Sequence, residues 1–204
     1  MSKSQSRPPI HDSVFPDAVS RCFEFLRQFG FYQVRANSHS VRYESVQAYI
    51  LVFYEEYSFE IGLEVGSLIE SSVRFPMSAV IRLFEPEEAD RYRDYAAQTA
   101  EEIERGVTKL ASQFARYVDA GLFDDPKLFE HLRNVTDHSL RQYAREVEMS
   151  NTRQKLEVAW REKNYAKVVD LLEPIRAELT ASELKKLEFS KNKLRSGASK
   201  WSTN

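Results

Sequence analysis

The sequence predicts an α+β fold: a small antiparallel β-meander preceded by a helix and followed by a long helical C-terminal region. Three observations carry this. Apolar residues recur at three- and four-residue steps over 13–30, switch to a period of two over 31–65, and return to helical spacing from Pro76 onward. The connections between the period-two runs are too short for parallel crossovers. With 6 glycines and 7 prolines in 204 residues, the composition favours regular elements over long linkers.

Each element has its own signal. Residues 1–11, rich in Ser with a Pro8-Pro9 pair, read as a disordered lead-in. In "DSVFPDAVSRCFEFLRQFGF", Phe15, Val19, Cys22, Leu26 and Phe29 form one helical stripe, with Asp12 or Ser13 as cap and Gly30 as stop. Cys22 lies on that stripe and reads as a small buried apolar residue rather than a nucleophile. "FYQVRA" (31–36) and "VRYE" (41–44) flank the polar turn "NSHS". "VQAYILVFY" (46–54) and "YSFEIGLEV" (57–65) follow, giving three or four strands. "PMSAVIRLF" predicts a short helix. "EPEEADRYRDYAAQTAEEIERGVTKLASQFARYVDAG" predicts a single long one, with Pro86 in its first turn and Gly121 at its stop. Its stripe is Tyr92, Tyr95, Ala96, Thr99, Ile103, Val107, Leu110, Phe114 and Val118. Asp125 and Pro126 open a further helix, and "TASE" (180–183) is a capping box for the last one.

The chain divides accordingly into the lead-in 1–11, an α+β part over 12–84, a long helical pair over 85–150 packed on it, a helical hairpin over 151–195 and a frayed tail over 196–204. Charge is uneven. The net is −2 overall, about evenly balanced in the first 84 residues, acidic over 85–149 and basic over 150–204. One cysteine excludes an intrachain disulfide and a multi-cysteine zinc site within one chain. "MSKSQSRPPI" lacks the apolar core of a signal peptide and no apolar run approaches a membrane span, so a cytoplasmic protein with no membrane partner is expected.

The most informative stretch is "VQAYILVFYEEYSFEIGLEVG" (46–66), apolar yet carrying Glu55, Glu56, Glu60 and Glu64. With "EEYS" (55–58) as the turn region, Tyr54 pairs with Phe59, Val52 with Ile61, Ile50 with Leu63 and Ala48 with Val65. That face is wholly apolar and reads as the core face. The other face then sets Phe53 opposite Glu60, Leu51 opposite Gly62, Tyr49 opposite Glu64 and Gln47 opposite Gly66, with hollows at the glycines. Two readings compete. In one, a helix from 76–160 covers Leu51 and Phe53. In the other, Tyr49, Phe53, Glu55, Glu56, Tyr57, Glu60 and Glu64 form an acidic, aromatic surface for a basic protein partner.

Chemistry finds little support. Glu60 and Glu64 lie roughly 13 Å apart along a strand, beyond the ~5–9 Å of a glycosidase pair. No lysine occurs between Lys3 and Lys109 to complete an acidic nuclease-type motif. His131 and His138 are seven residues apart, not the four of a helical zinc pair. No P-loop, GxGxxG or GxSxG is present. No catalytic residue, cofactor or metal ligand is therefore assigned, and an enzyme is the less favoured reading. Nucleic acid ranks third: Lys185, Lys186, Lys191, Lys193, Arg195 and Lys200 accompany Trp201, but Glu183 and Glu188 interrupt them.

Two resemblances follow from quoted motifs. "LEVAWREKNYAKVVDLLEPI", with a turn at Lys163-Asn164 and then Tyr165, Val168, Val169 and Leu172, resembles one tetratricopeptide-type hairpin over about 152–194. It departs from the pattern at Leu156 and Val168, where small residues are usual. Together with "VRYES...YILVFYEEYSFEIGLEVG", it is similar to small bacterial cytosolic proteins of the immunity or defence type. That resemblance implies a non-enzymatic binding protein, immunity- or antitoxin-like. The alternatives are a carboxylate-based metal-dependent hydrolase, or a scaffold that forms a homo-oligomer through its helices.

Overall fold

A computed structural model describes residues 13–70 and 73–198. The predicted lead-in lies outside the described residues, as do Lys200 and Trp201; of the predicted tail, residues 196–198 still belong to the last helix. The chain forms two compact units, Met1–His138 and Ser139–Asn204. This division concentrates charge: the first unit carries 15 Lys+Arg against 22 Asp+Glu, the second 14 against 9.

The first unit is the α+β part. Helix α1 (Val14–Cys22) runs into a 3-10 helix (Glu24–Phe29), and Gly30 ends it with left-handed φ of 78°. The single stripe expected from the spacing is thus divided, and Ser13 stands at the cap position without a side-chain hydrogen bond. Strands β1 (Tyr32–Asn37), β2 (Ser40–Glu44), β3 (Ala48–Glu55), β4 (Glu60–Ser67) and β5 (Arg74–Pro76) form an antiparallel meander in sequence order, and the short β6 (Tyr95–Ala96) pairs with β4. The sheet thus has six strands rather than three or four. Asn37 shapes the first turn: its Oδ1 accepts from the amides of His39 at 2.9 Å and Ser40 at 2.8 Å.

Helices α2 (Met77–Phe84) and α3 (Pro86–Arg91) come next, then α4 (Ala100–Asp119). The expected single helix from Pro86 to Gly121 is corrected here. Thr99 Oγ1 accepts from the Glu102 amide at 3.2 Å, and Glu102 Oε2 accepts from the Thr99 amide at 3.1 Å. This capping box starts a new helix, so Tyr92, Tyr95, Ala96 and Thr99 are not helical. The remainder of the stripe is borne out: Ile103, Val107, Leu110, Phe114 and Val118 are all buried on α4.

The core gathers Phe15, Val19, Phe23 and Leu26 with Ile50, Val52, Ile61, Leu63 and Val65 of the sheet and the buried faces of α2 and α4. Tyr43, on the same sheet face, donates its hydroxyl to the Val19 carbonyl at 3.3 Å. Burial pushes that phenol up to about 12.

Helix α5 (Leu128–Arg161) is 34 residues long, and the division between units falls within it. In the second unit α6 (Tyr165–Leu172) follows a turn in which Lys163 takes φ of 55°. A 3-10 helix (Glu173–Glu178) and α7 (Ala181–Ala198) complete the unit. Its core is Leu156, Ala159, Val168, Leu172 and Leu187. Leu156 and Val168, the two departures from the tetratricopeptide pattern, are therefore core-filling residues of a small three-helix cluster.

The capping box at α7 gives a pH-dependent contribution. Glu183 accepts from Arg153 Nε at 2.8 Å and from the Thr180 amide at 2.7 Å. The Arg153 hydrogen bond, foremost, holds the carboxyl below its usual range. A carboxylate with a depressed folded-state pKa adds stability above its unfolded value of about 4.3, and that stability is lost as pH falls through the lower folded value. Acid titration followed by tryptophan fluorescence reads this unit alone, since Trp160 and Trp201 both lie in it. Glu183→Gln is expected to lower stability at neutral pH and flatten the acid limb. An unchanged acid limb would contradict the assignment.

Candidate functional site: the open face of the sheet

The β3–β4 hairpin places the singled-out residues, in a register two residues away from the expected one. Tyr54 pairs with Ile61, Val52 with Leu63, Ile50 with Val65 and Ala48 with Ser67. The cause is the connection: Glu56 to Phe59 forms the loop, with Phe59 in left-handed backbone at φ 60°. A slip of two preserves the side-chain alternation, so the division into two faces stands. The cross-strand neighbours change. Tyr49 now faces Gly66, Leu51 faces Glu64, Phe53 faces Gly62, and Glu55 faces Glu60.

The expected hollows at the glycines are filled by these aromatic rings. A Cβ on Gly66 would lie 2.1 Å from Tyr49 Cζ, and one on Gly62 would lie 2.4 Å from Phe53 Cζ. Each ring lies flat across the strand that lacks a side chain, which is why glycine is needed there. The Arg42 guanidinium covers the outer side of Tyr49 at 3.8 Å from the ring centroid and donates to Glu44 at 2.7 Å. Tyr49 is consequently only 7% exposed. It is a supporting residue of the face, not an available anchor.

The helix expected to cover Leu51 and Phe53 does not do so. The buried faces of α1, α2 and α4 join the core cluster with Ile50, Val52, Ile61 and Leu63, whereas Tyr49, Leu51 and Phe53 take no part in it. The far side of the sheet is an open face, with Leu51 and Phe53 half-buried by their neighbours.

Charge is arranged unevenly on that face. Glu64 stands 3.7 Å from Arg74 of β5. Glu56, in the loop, pairs with His39 Nε2 at 2.6 Å. Glu55 and Glu60 are different: they oppose each other directly and, among the described residues, neither has a cationic partner within ion-pair distance. Asp94, just before β6, accepts from the Tyr92 hydroxyl at 3.0 Å. Burial, with an added contribution from the Glu60 charge, raises its pKa. Tyr57, in the same loop as Glu56, is 95% exposed. Glu55, Glu60 and Asp94 thus form an acidic corner, and Tyr57 projects from the adjoining loop.

The sequence reading missed Arg42, Arg74 and Asp94. The first two were legible as alternate residues on strands flanking the hairpin. Asp94 was hidden by the assumed helix, although "TAEE" (99–102) carries the capping-box spacing that ends that assumption. Among the described residues, no group of three or more His, Cys, Asp or Glu side chains converges as a metal site. No described helix is long and apolar enough to cross a membrane.

The fold and face define an α+β protein with a one-sided antiparallel sheet. Comparison with protein-family models, curated proteins and solved structures returns no match.

Proposed function

We propose that the chain is a non-enzymatic protein-binding module, of the immunity or antitoxin kind, whose open sheet face engages a basic surface on another protein. The observation that carries this reading is the acidic corner. Like charges directly opposite each other across a strand pair destabilise a sheet, yet Glu55 and Glu60 occupy such a pair with no cation near them among the described residues. A cationic partner relieves that repulsion on binding and is steered toward it by the field of an acidic unit. Tyr57 supplies an aromatic contact beside it, the residue type that concentrates binding energy at interfaces.

The test separates binding from folding. Glu60→Lys converts the repulsive pair to an attractive one, so the free protein is expected to gain about 0.2–1 kcal/mol. Capture of a basic protein partner from native cells by the unaltered chain is expected to weaken with salt and to disappear with Glu60→Lys. If the stable variant captures the same protein as well as the original, the corner is not the binding surface.

A further inference from the structure

A second surface lies on the other unit, on the middle of α5. Leu140, Tyr143 and Val147 are 62%, 67% and 41% exposed and belong to neither core cluster. Their three- and four-residue spacing puts them on one helix line, and Val158, 51% exposed, continues it. The opposite side of the same segment is occupied within its own unit. Arg145 pairs with Glu178, Arg153 with Glu183, and Leu156 enters the core. The apolar line therefore points away from the second unit's interior, and no partner for it is found within that unit.

We infer that this face pairs with the same face of a second copy, with the two α5 helices antiparallel. Charge selects the occupant and the direction. Arg141 and Glu148 flank the apolar line on one side, both exposed and neither in an ion pair among the described residues. An antiparallel, two-fold arrangement that sets Leu140 on the partner's Val147 centres the contact between Tyr143 and Ala144. It brings Arg141 alongside the partner's Glu148, and symmetry repeats the pair. Thr136 meets the partner's Asn151 at the two ends, closing an apolar centre with polar residues. A parallel arrangement sets Arg141 and Glu148 each beside its own counterpart, which repels. The contact spans few turns, so the dimer is concentration-dependent. It uses a surface distinct from the sheet's acidic corner and does not depend on the function proposed for that corner.

Sedimentation equilibrium of the full chain tests it. The expected mass moves from the 23.8 kDa of one chain toward twice that as concentration rises. Tyr143→Lys, at an exposed position, is expected to remain helical by circular dichroism and to stay monomeric. Arg141→Glu is expected to weaken association by about tenfold, equivalent to 1.4 kcal/mol, and Arg141→Glu/Glu148→Arg to restore it. A chain that is monomeric at the highest attainable concentration overturns the inference. So does a dimer indifferent to both Tyr143→Lys and Arg141→Glu, or one that the double reversal fails to restore.

Discussion

Phe114→Ala is expected to destabilise the first unit by about 3–5 kcal/mol, the range for a fully buried aromatic truncated in a packed core. Phe114 is at 0% exposure on α4. Its ring lies 6.4 Å from Phe23 and 6.4 Å from Phe123, edge-on to the latter at 72°. Phe123 in turn meets Phe31 at 4.6 Å. These four rings link the start of the 3-10 segment, the middle of α4, the segment after it and the entry to β1. Removing the central ring leaves a hole whose walls belong to elements fixed elsewhere, so little collapse can fill it. Denaturant unfolding should show a lower midpoint with an unchanged slope. Phe29→Ala, at an exposed ring, is the matched control and should cost far less. Equal losses for the two would contradict the placement of the core.

Gly66→Ala is expected to cost about 1–3 kcal/mol, as for overpacking of a filled site. The added methyl would fall on the Tyr49 ring, which is pinned between the Gly66 backbone and the Arg42 guanidinium. Gly62→Ala should cost less, because Phe53 is half-exposed and can swing outward. The decisive comparison is a double-mutant cycle. With Tyr49→Ala already present the clash is gone. Gly66→Ala then becomes neutral, or stabilising by about 0.4–1 kcal/mol through restriction of the unfolded chain. The same penalty in both backgrounds would show that the ring is not what excludes the side chain.

These two sites also mark where the sequence was legible and where it was not. Phe114 could be placed in the core from helical spacing alone, because burial of one helix face repeats every turn whatever the neighbouring elements do. Tyr49 could be assigned to the correct face, because alternation survives a slip of two residues. What it rests on could not be read. That depended on loop length at Glu56–Phe59, which fixes the register and which no periodicity encodes. The false continuity of a helix through Tyr92–Thr99 arose because Tyr92, Tyr95 and Ala96 satisfy helical spacing by chance. The local capping chemistry of Thr99 and Glu102 outweighs it. Sequence spacing alone named Glu55, Glu60 and Tyr57 as candidates. The direct opposition of Glu55 and Glu60 and their nearness to Asp94 required the paired strands and β6.

The proposed use of the sheet is tested most directly by backbone amide exchange of the chain alone and in complex with its captured basic partner. The account expects added protection in the loop between β3 and β4, around Tyr57, and in the segment through Asp94 to Ala96. Protection of α1 and α4 should be unchanged. Protection confined to residues outside the open face and its loop, with that loop exchanging as fast as in the free chain, would contradict it.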